Sequence, residues 1–129
     1  MCFQQMIFSK TKIGKFTLKN RVVVSPMCQY SAIKGSPTKW HYSHLLKLLT
    51  SGASMLTLES TAVNKIGKIT HSDLCLSNDT QKKNFKRLIS FLKSYENKIP
   101  ICLQISHAGR KGSSHIPWIK PNTPLNNSK

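Results

Sequence analysis

Two periods alternate along this chain. A β-branched run, Val22-Val23-Val24, lies within Asn20–Pro26 and predicts a first buried strand. After the loop Gly35-Ser36-Pro37, residues Tyr42, Leu45, Leu46 and Leu49 recur on one helical face. Thr38 is a fair N-cap for that helix, and Gly52 can end it. Ser54–Val63 predicts a second strand, apolar in its first half and polar at its exit. A loop through Gly67 and His71 leads to a second helix, capped by Asp79, with Phe85, Leu88, Ile89, Leu92 and Tyr95 on one face. Pro100–Ile105 predicts a third strand. After His107-Ala108-Gly109 no period survives, and Gly112, Pro117, Pro121 and Pro124 mark a loop. Ahead of these elements, Lys12–Leu18 alternates about a Gly14-Lys15 pair and predicts a short hairpin, with Gly14 free to take positive φ.

Strands alternating with amphipathic helices predict an α/β chain with parallel strands and right-handed connections. Parallel strands put their exits on one rim. Here those exits carry Cys28 and Tyr30, then Glu59, Ser60 and Thr61, then Gln104 and His107. Barrels and doubly wound sheets both place chemistry at that rim. No G-x-G-x-x-G and no G-x-x-x-x-G-K-[ST] follows the first strand, which argues against the phosphate-binding signatures of doubly wound folds.

At 129 residues and 39% apolar content the chain suits one domain. Its net charge of +16 raises the question of a polyanion partner. The cations are mostly Lys and are spread from Lys10 to Lys129, and the densest run, Lys82–Arg87, reads as a solvated helix face. With no groove-reading motif, no specific nucleic-acid partner is expected. Cysteines at 2, 28, 75 and 102 have neither metal-ligand spacing nor a secretory context, so no disulfide framework and no metal site are expected. Cys75 reads as a loop residue and Cys102 as core. His41 and His44, at i and i+3, lack a third ligand and read as packing or surface residues. Glu59 reads as an ion-paired structural carboxylate, and Trp40 and Trp118 as core or loop anchors. No stretch approaches the ~20 apolar residues of a membrane span. The expected location is a reducing cytoplasm.

Five ordered motifs carry a family resemblance. They are Lys12-Ile13-Gly14 with Leu18-Lys19-Asn20-Arg21; Ser25-Pro26-Met27-Cys28-Gln29-Tyr30-Ser31; Pro37-Thr38 with Trp40-His41; Glu59-Ser60-Thr61-Ala62-Val63; and Gln104–Gly112. Together they closely resemble the old yellow enzyme family, in its thiol-containing bacterial branch of NADPH dehydrogenases and xenobiotic reductases. The resemblance implies the N-terminal portion of a TIM (β/α)8 barrel. That portion is a hairpin over 8–20, βαβαβ units over 21–106, and an active-site loop over 107–129. It implies FMN, with Ser25, Pro26, Met27, Cys28, Ala62 and Gln104 as cofactor-binding residues. Cys28 and Tyr30 take the catalytic places, the thiol tuning the flavin rather than attacking substrate. Tyr30, His107 and Lys111 lie toward the substrate. The implied reaction passes hydride from NADPH or NADH through FMN to an electron-poor alkene, a small molecule such as an enone or a xenobiotic.

A full barrel of this kind needs roughly 250 residues. The resemblance therefore implies the N-terminal third only, inactive alone and in need of the remaining strands. Complete members are often homo-oligomers. The competing class is a non-catalytic remnant, or a basic protein that binds polyanions through charge.

Overall fold

The computed structural model describes residues 6–119. Cys2, Pro121, Pro124 and the rest of the expected loop beyond 119 lie outside the described residues. The alternation about Gly14 folds as expected. β1 (Thr11–Ile13) pairs antiparallel with β2 (Phe16–Leu18), and Gly14 sits at φ +55°. Leu18 is buried, and Asn20 then ties the hairpin exit to the sheet. Its Oδ1 accepts from Val22 N–H (3.0 Å) and from the Ser54 hydroxyl (2.7 Å), and its Nδ2 donates to the Gly52 carbonyl (2.9 Å).

β3 (Val23–Val24) and β6 (Ile101–Ser106) flank β4 (Met55–Ala62), all parallel. The helices lie between them in sequence: α1 (Lys39–Leu49) before β4 and α2 (Asp79–Tyr95) before β6. Leu45 and Leu49 of α1, Leu56 and Leu58 of β4, and Phe85, Leu88 and Leu92 of α2 form the core. Leu88 and Leu92 are 0% exposed.

Four local expectations change. The first strand is shorter than Asn20–Pro26, because the Val22 N–H goes to Asn20 and Pro26 has no N–H to give. The helix expected to stop at Gly52 is capped at Thr50, whose N–H donates to Leu46; Gly52 turns the chain two residues later at φ +93°. Asn78, not Asp79, caps α2, its Oδ1 accepting from Gln81 N–H at 2.9 Å. Asp79 instead sits in the first turn, where its charge faces the helix dipole favourably. The loop after the second strand holds a 3-10 turn (Lys65–Gly67) and a two-residue strand, β5 (Leu74–Cys75), which extends the ladder beside Thr61 and Ala62.

β4 carries one more residue than β6 over the same length. Leu58 pairs with Leu103 and the next pair is Thr61 with Ile105, so Glu59 and Ser60 together oppose Gln104. This bulge reverses the pleat. Leu56 and Leu58 share a face with Ile101 and Leu103, whereas Ala62 pairs with Ser106 and so joins the face of Cys102 and Gln104.

Candidate flavin rim

The three parallel strands end at one edge, and contacts join the ends. Gln29 N–H reaches Glu59 Oε2, and the Ser60 hydroxyl meets the Ser106 hydroxyl. The exits of β3, β4 and β6 are thus continuous through Gln29, Glu59, Ser60 and Ser106.

The segment Ser25–Tyr30 is held by its own glutamine. Gln29 N–H donates to Glu59 Oε2 (2.8 Å), and Gln29 Nε2 donates to the Met27 carbonyl (2.9 Å). Trp40 Nε1 donates to Gln29 Oε1 (3.2 Å), and the Ser31 hydroxyl donates to the Gln29 carbonyl (2.9 Å). The turn is closed tightly enough to hold Tyr30 at φ +48°, uncommon for a residue with a side chain. Tyr30 meets the Trp118 ring edge-on, with centroids 5.7 Å apart. Ser25 and Met27 are exposed at the strand end, while Pro26, Cys28 and Tyr30 are half-buried.

Burial, then the negative charges of Asp73 and Glu59, push the Cys28 thiol above its ordinary value; the Ser60 backbone and Tyr30 oppose this. Burial also raises Tyr30, helped by Cys28, Asp73 and Glu59. Both groups therefore keep their protons at neutral pH. Cys28 is an S–H donor here rather than a thiolate nucleophile.

Asp73 was invisible to motif reading. It is buried, and its carboxylate accepts from Ile69 N–H and from the Thr70 hydroxyl, each at 2.7 Å. The available signal was the Thr70-x-x-Asp73 spacing of a local side-chain turn. Glu59, expected to be an ion-paired structural carboxylate, faces the imidazole of His41 rather than a Lys or Arg, at 3.1 Å from Nε2 with both side chains buried. His41 Nδ1 accepts the Thr38 N–H (3.0 Å), so the proton sits on Nε2, toward Glu59. That Nε2 has poor hydrogen-bond angles to the carboxylate yet faces no other partner; the short separation makes Glu59 its counterpart. Trp40 stacks on His44, with ring planes 10° apart. Among the described residues no cluster of three metal-ligating side chains occurs.

Gln104 is exposed, with an amide that both donates and accepts. Ala62 shares its face but is 2% exposed, and its carbonyl accepts Leu76 N–H (2.8 Å), so it is covered rather than open. His107 packs on Gly67, where a Cβ would come within 2.8 Å of the ring, and its Nδ1 accepts Gly109 N–H (3.1 Å). Lys111 is exposed at the end of the next 3-10 turn (Gly109–Lys111). Two thiols exchange their expected places. Cys75 is buried in β5, and Cys102 is exposed on the Gln104 face. A cleft of about 540 Å³ between α2 and β6, lined by Leu58, Phe85, Ile89, Ile101, Cys102 and Leu103, contains none of Cys28, Tyr30, Ala62, Gln104, His107 and Lys111.

The donor set suits a flat tricyclic ring with a polar edge. It offers an open amide, a neutral S–H and an exposed thioether at Met27 (53% exposed).

Residues 6–122 match the model of the NADH:flavin oxidoreductase / NADH oxidase family. An NADH:flavin oxidoreductase of Gibberella zeae is 40% identical over 116 residues, covering 90% of this chain and 28% of the relative. An NADPH dehydrogenase of Listeria welshimeri is 42% identical over 107 residues, covering 81% and 31%. Old Yellow Enzyme from a Pichia species superposes with a TM-score of 0.74 at 20% identity, over 84% of this chain and 28% of that one. Morphinone reductase in complex with tetrahydroNAD does so with 0.73 at 19%, over 83% and 28%. The strands and helices are the first units of the same (β/α)8 barrel fold, and the chain spans 28% to 31% of the length of the two curated relatives.

Proposed function

Because the chain belongs to the NADH:flavin oxidoreductase / NADH oxidase family, we propose that its rim is the first part of an FMN site in an oxidoreductase of the old yellow enzyme type. The electron source in this reading is NADPH or NADH, and the substrates are small electron-poor alkenes. The observation that carries the reading is the continuity of three strand exits through Gln29, Glu59, Ser60 and Ser106.

FMN, when bound, supplies hydride exchange. The protein's part is placement. Ser25, Pro26 and Met27 present backbone at the strand end. Gln104 offers a donor and an acceptor to the ring's polar edge. The Cys28 S–H donates without giving up its proton. Ala62 contributes shape from beneath rather than an open contact. Tyr30 keeps its phenolic proton and can donate it in a hydrogen bond to a substrate carbonyl, while His107 and Lys111 stand on the next turn toward the substrate side. The activity of the whole protein draws on strands beyond those described here. Among the described residues no helix is long and apolar enough to cross a membrane. A cytoplasmic setting, where thiols such as Cys28, Cys75 and Cys102 stay reduced, accompanies the reading.

One observation favours the polyanion alternative: Lys82, Lys83, Lys86 and Arg87 are all exposed on α2. Flavin fluorescence separates the two. FMN is titrated with the purified chain, alone and together with a segment carrying the family's remaining strands. Quenching is expected with the combined preparation at least, and Gln104→Leu should weaken it by about tenfold. No quenching in either preparation, or identical titrations of Gln104→Leu and wild type, overturns the FMN reading. Salt-sensitive binding to unrelated nucleic acids would favour the alternative.

A further inference from the structure

The helix that follows the first strand reaches back to the thiol segment through two side chains. Thr38 N–H donates to His41 Nδ1 (3.0 Å), His41 Nε2 faces Glu59 Oε1 (3.1 Å), and Glu59 Oε2 accepts Gln29 N–H (2.8 Å). Every member of the series is at least half-buried, and Glu59 and His41 are 6% and 1% exposed. A buried carboxylate is costly unless its oxygens are satisfied; here Oε2 accepts a backbone N–H and Oε1 has the His41 ring at short range. The acceptor end of the series is the amide immediately after Cys28. Resting on the FMN reading of the rim, we propose that Glu59, oriented by His41, is a positioning residue that fixes the Cys28-Gln29 peptide and sets its carboxylate beside the thiol.

Two facts beyond the hydrogen bonds support this. Gln29 has no freedom left to hold the segment in another way, since its side chain is committed to Met27 and Trp40. The groups that bear on the Cys28 proton are Glu59 from β4, Asp73 from the loop before β5, and Tyr30 on its own segment; both carboxylates oppose ionisation of the thiol. Asp73 is tied to Ile69 and Thr70. Glu59 is the carboxylate of the two that also touches the thiol segment.

The test reads the thiol directly and needs no flavin. Wild type, Glu59→Gln and Glu59→Asp are alkylated with iodoacetamide across a pH series, and the Cys28 peptide is followed by mass spectrometry with the Cys75 and Cys102 peptides as internal standards. Glu59→Gln removes the charge and keeps the shape, so the Cys28 midpoint should fall by roughly half a pH unit or more. Glu59→Asp keeps the charge and should stay close to wild type. A Glu59→Gln midpoint equal to wild type, or a Glu59→Asp midpoint displaced as far as that of Glu59→Gln, overturns the proposal. If Glu59→Gln unfolds, shown by Cys75 reacting as fast as Cys102, the decision passes to hydrogen exchange at the Gln29 amide. The shorter side chain of Glu59→Asp cannot span to that N–H, so exchange should quicken by about tenfold or more; unchanged exchange overturns the proposal. FMN titration of the same samples reports separately: a wild type that never quenches flavin removes the FMN reading while the thiol data still decide the role of Glu59.

Discussion

Gly35→Ala should be among the most damaging single-methyl additions in this chain, and its cost divides into two parts. Gly35 sits at φ +76°, where an L side chain is strained by about 1–2 kcal/mol. An added Cβ would also lie 2.8 Å from the Cys75 Cβ and 2.5 Å from Gln81 Nε2. Neither neighbour can give way freely. Cys75 is fixed in β5, with its N–H donating to the Gly35 carbonyl at 2.9 Å. Gln81 is buried, donating to the Lys34 carbonyl (3.0 Å) and accepting Ser77 N–H (2.8 Å), so shifting it breaks both bonds. Such overpacking adds about 1–3 kcal/mol. The expected total is about 3 kcal/mol. Gly14→Ala is the control: it has positive φ (+55°) but nothing within 4 Å of its Cβ, so it should lose only the backbone part, about 1 kcal/mol. In urea unfolding followed by far-UV circular dichroism, a slope of about 1.5 kcal/mol/M converts these to midpoint losses of about 2 M and about 0.7 M. Equal midpoints for the two variants would refute the steric half of the reasoning.

Two further outcomes can be checked on the same instrument. Leu88→Ala removes a side chain that is 0% exposed between the helices and the sheet, and should cost about 3 kcal/mol, lowering Tm by about 10 °C; a drop of under about 2 °C would mean the site collapses around the smaller residue. Alkaline pH should destabilise the fold. Cys28 and Tyr30 are raised above their ordinary values of 9.0 and 10.0, so the unfolded chain releases these protons first and the folded chain binds more of them. Stability then falls as pH climbs past about 9 and stops falling once the folded groups have also ionised. A urea midpoint that rises between about pH 8 and pH 10 contradicts that sign.

The sequence revealed what its periods encode. Tyr42 through Leu49 and Phe85 through Leu92 announce both helices, and the run of valines and the alternation around Leu56 and Leu58 announce strands. A period does not say which face is covered. That is why Cys102, between Ile101 and Leu103, read as core and lies exposed, since the two flanking residues take the helix side. β5 is two residues long, too short to carry any period, so buried Cys75 read as loop. At the rim, the strand ends that carry Glu59, Ser60 and Gln104 were legible because each strand shows its own run of apolar positions. The buried pair His41 and Glu59 lies 18 positions apart, and only the chemistry of Glu59, a carboxylate in an apolar strand, hinted that a partner existed. Asp73 had no such hint beyond its spacing to Thr70.

The extra residue in β4 means that the rim is out of phase with the core beneath it. Counting in twos from Leu58 would send Ala62 to the helices; the surplus residue at 59–60 turns it toward Gln104 instead. Deleting Ser60 would leave the hydrophobic half of the strand intact and keep Ala62 opposite Ser106, since Glu59 alone would then face Gln104 in a regular ladder. A graft that instead added one residue after Gln104 would pair Ser60 as well and turn Ala62 and Ser106 to the helix side, swapping the front and back of the surface on which a ligand could rest.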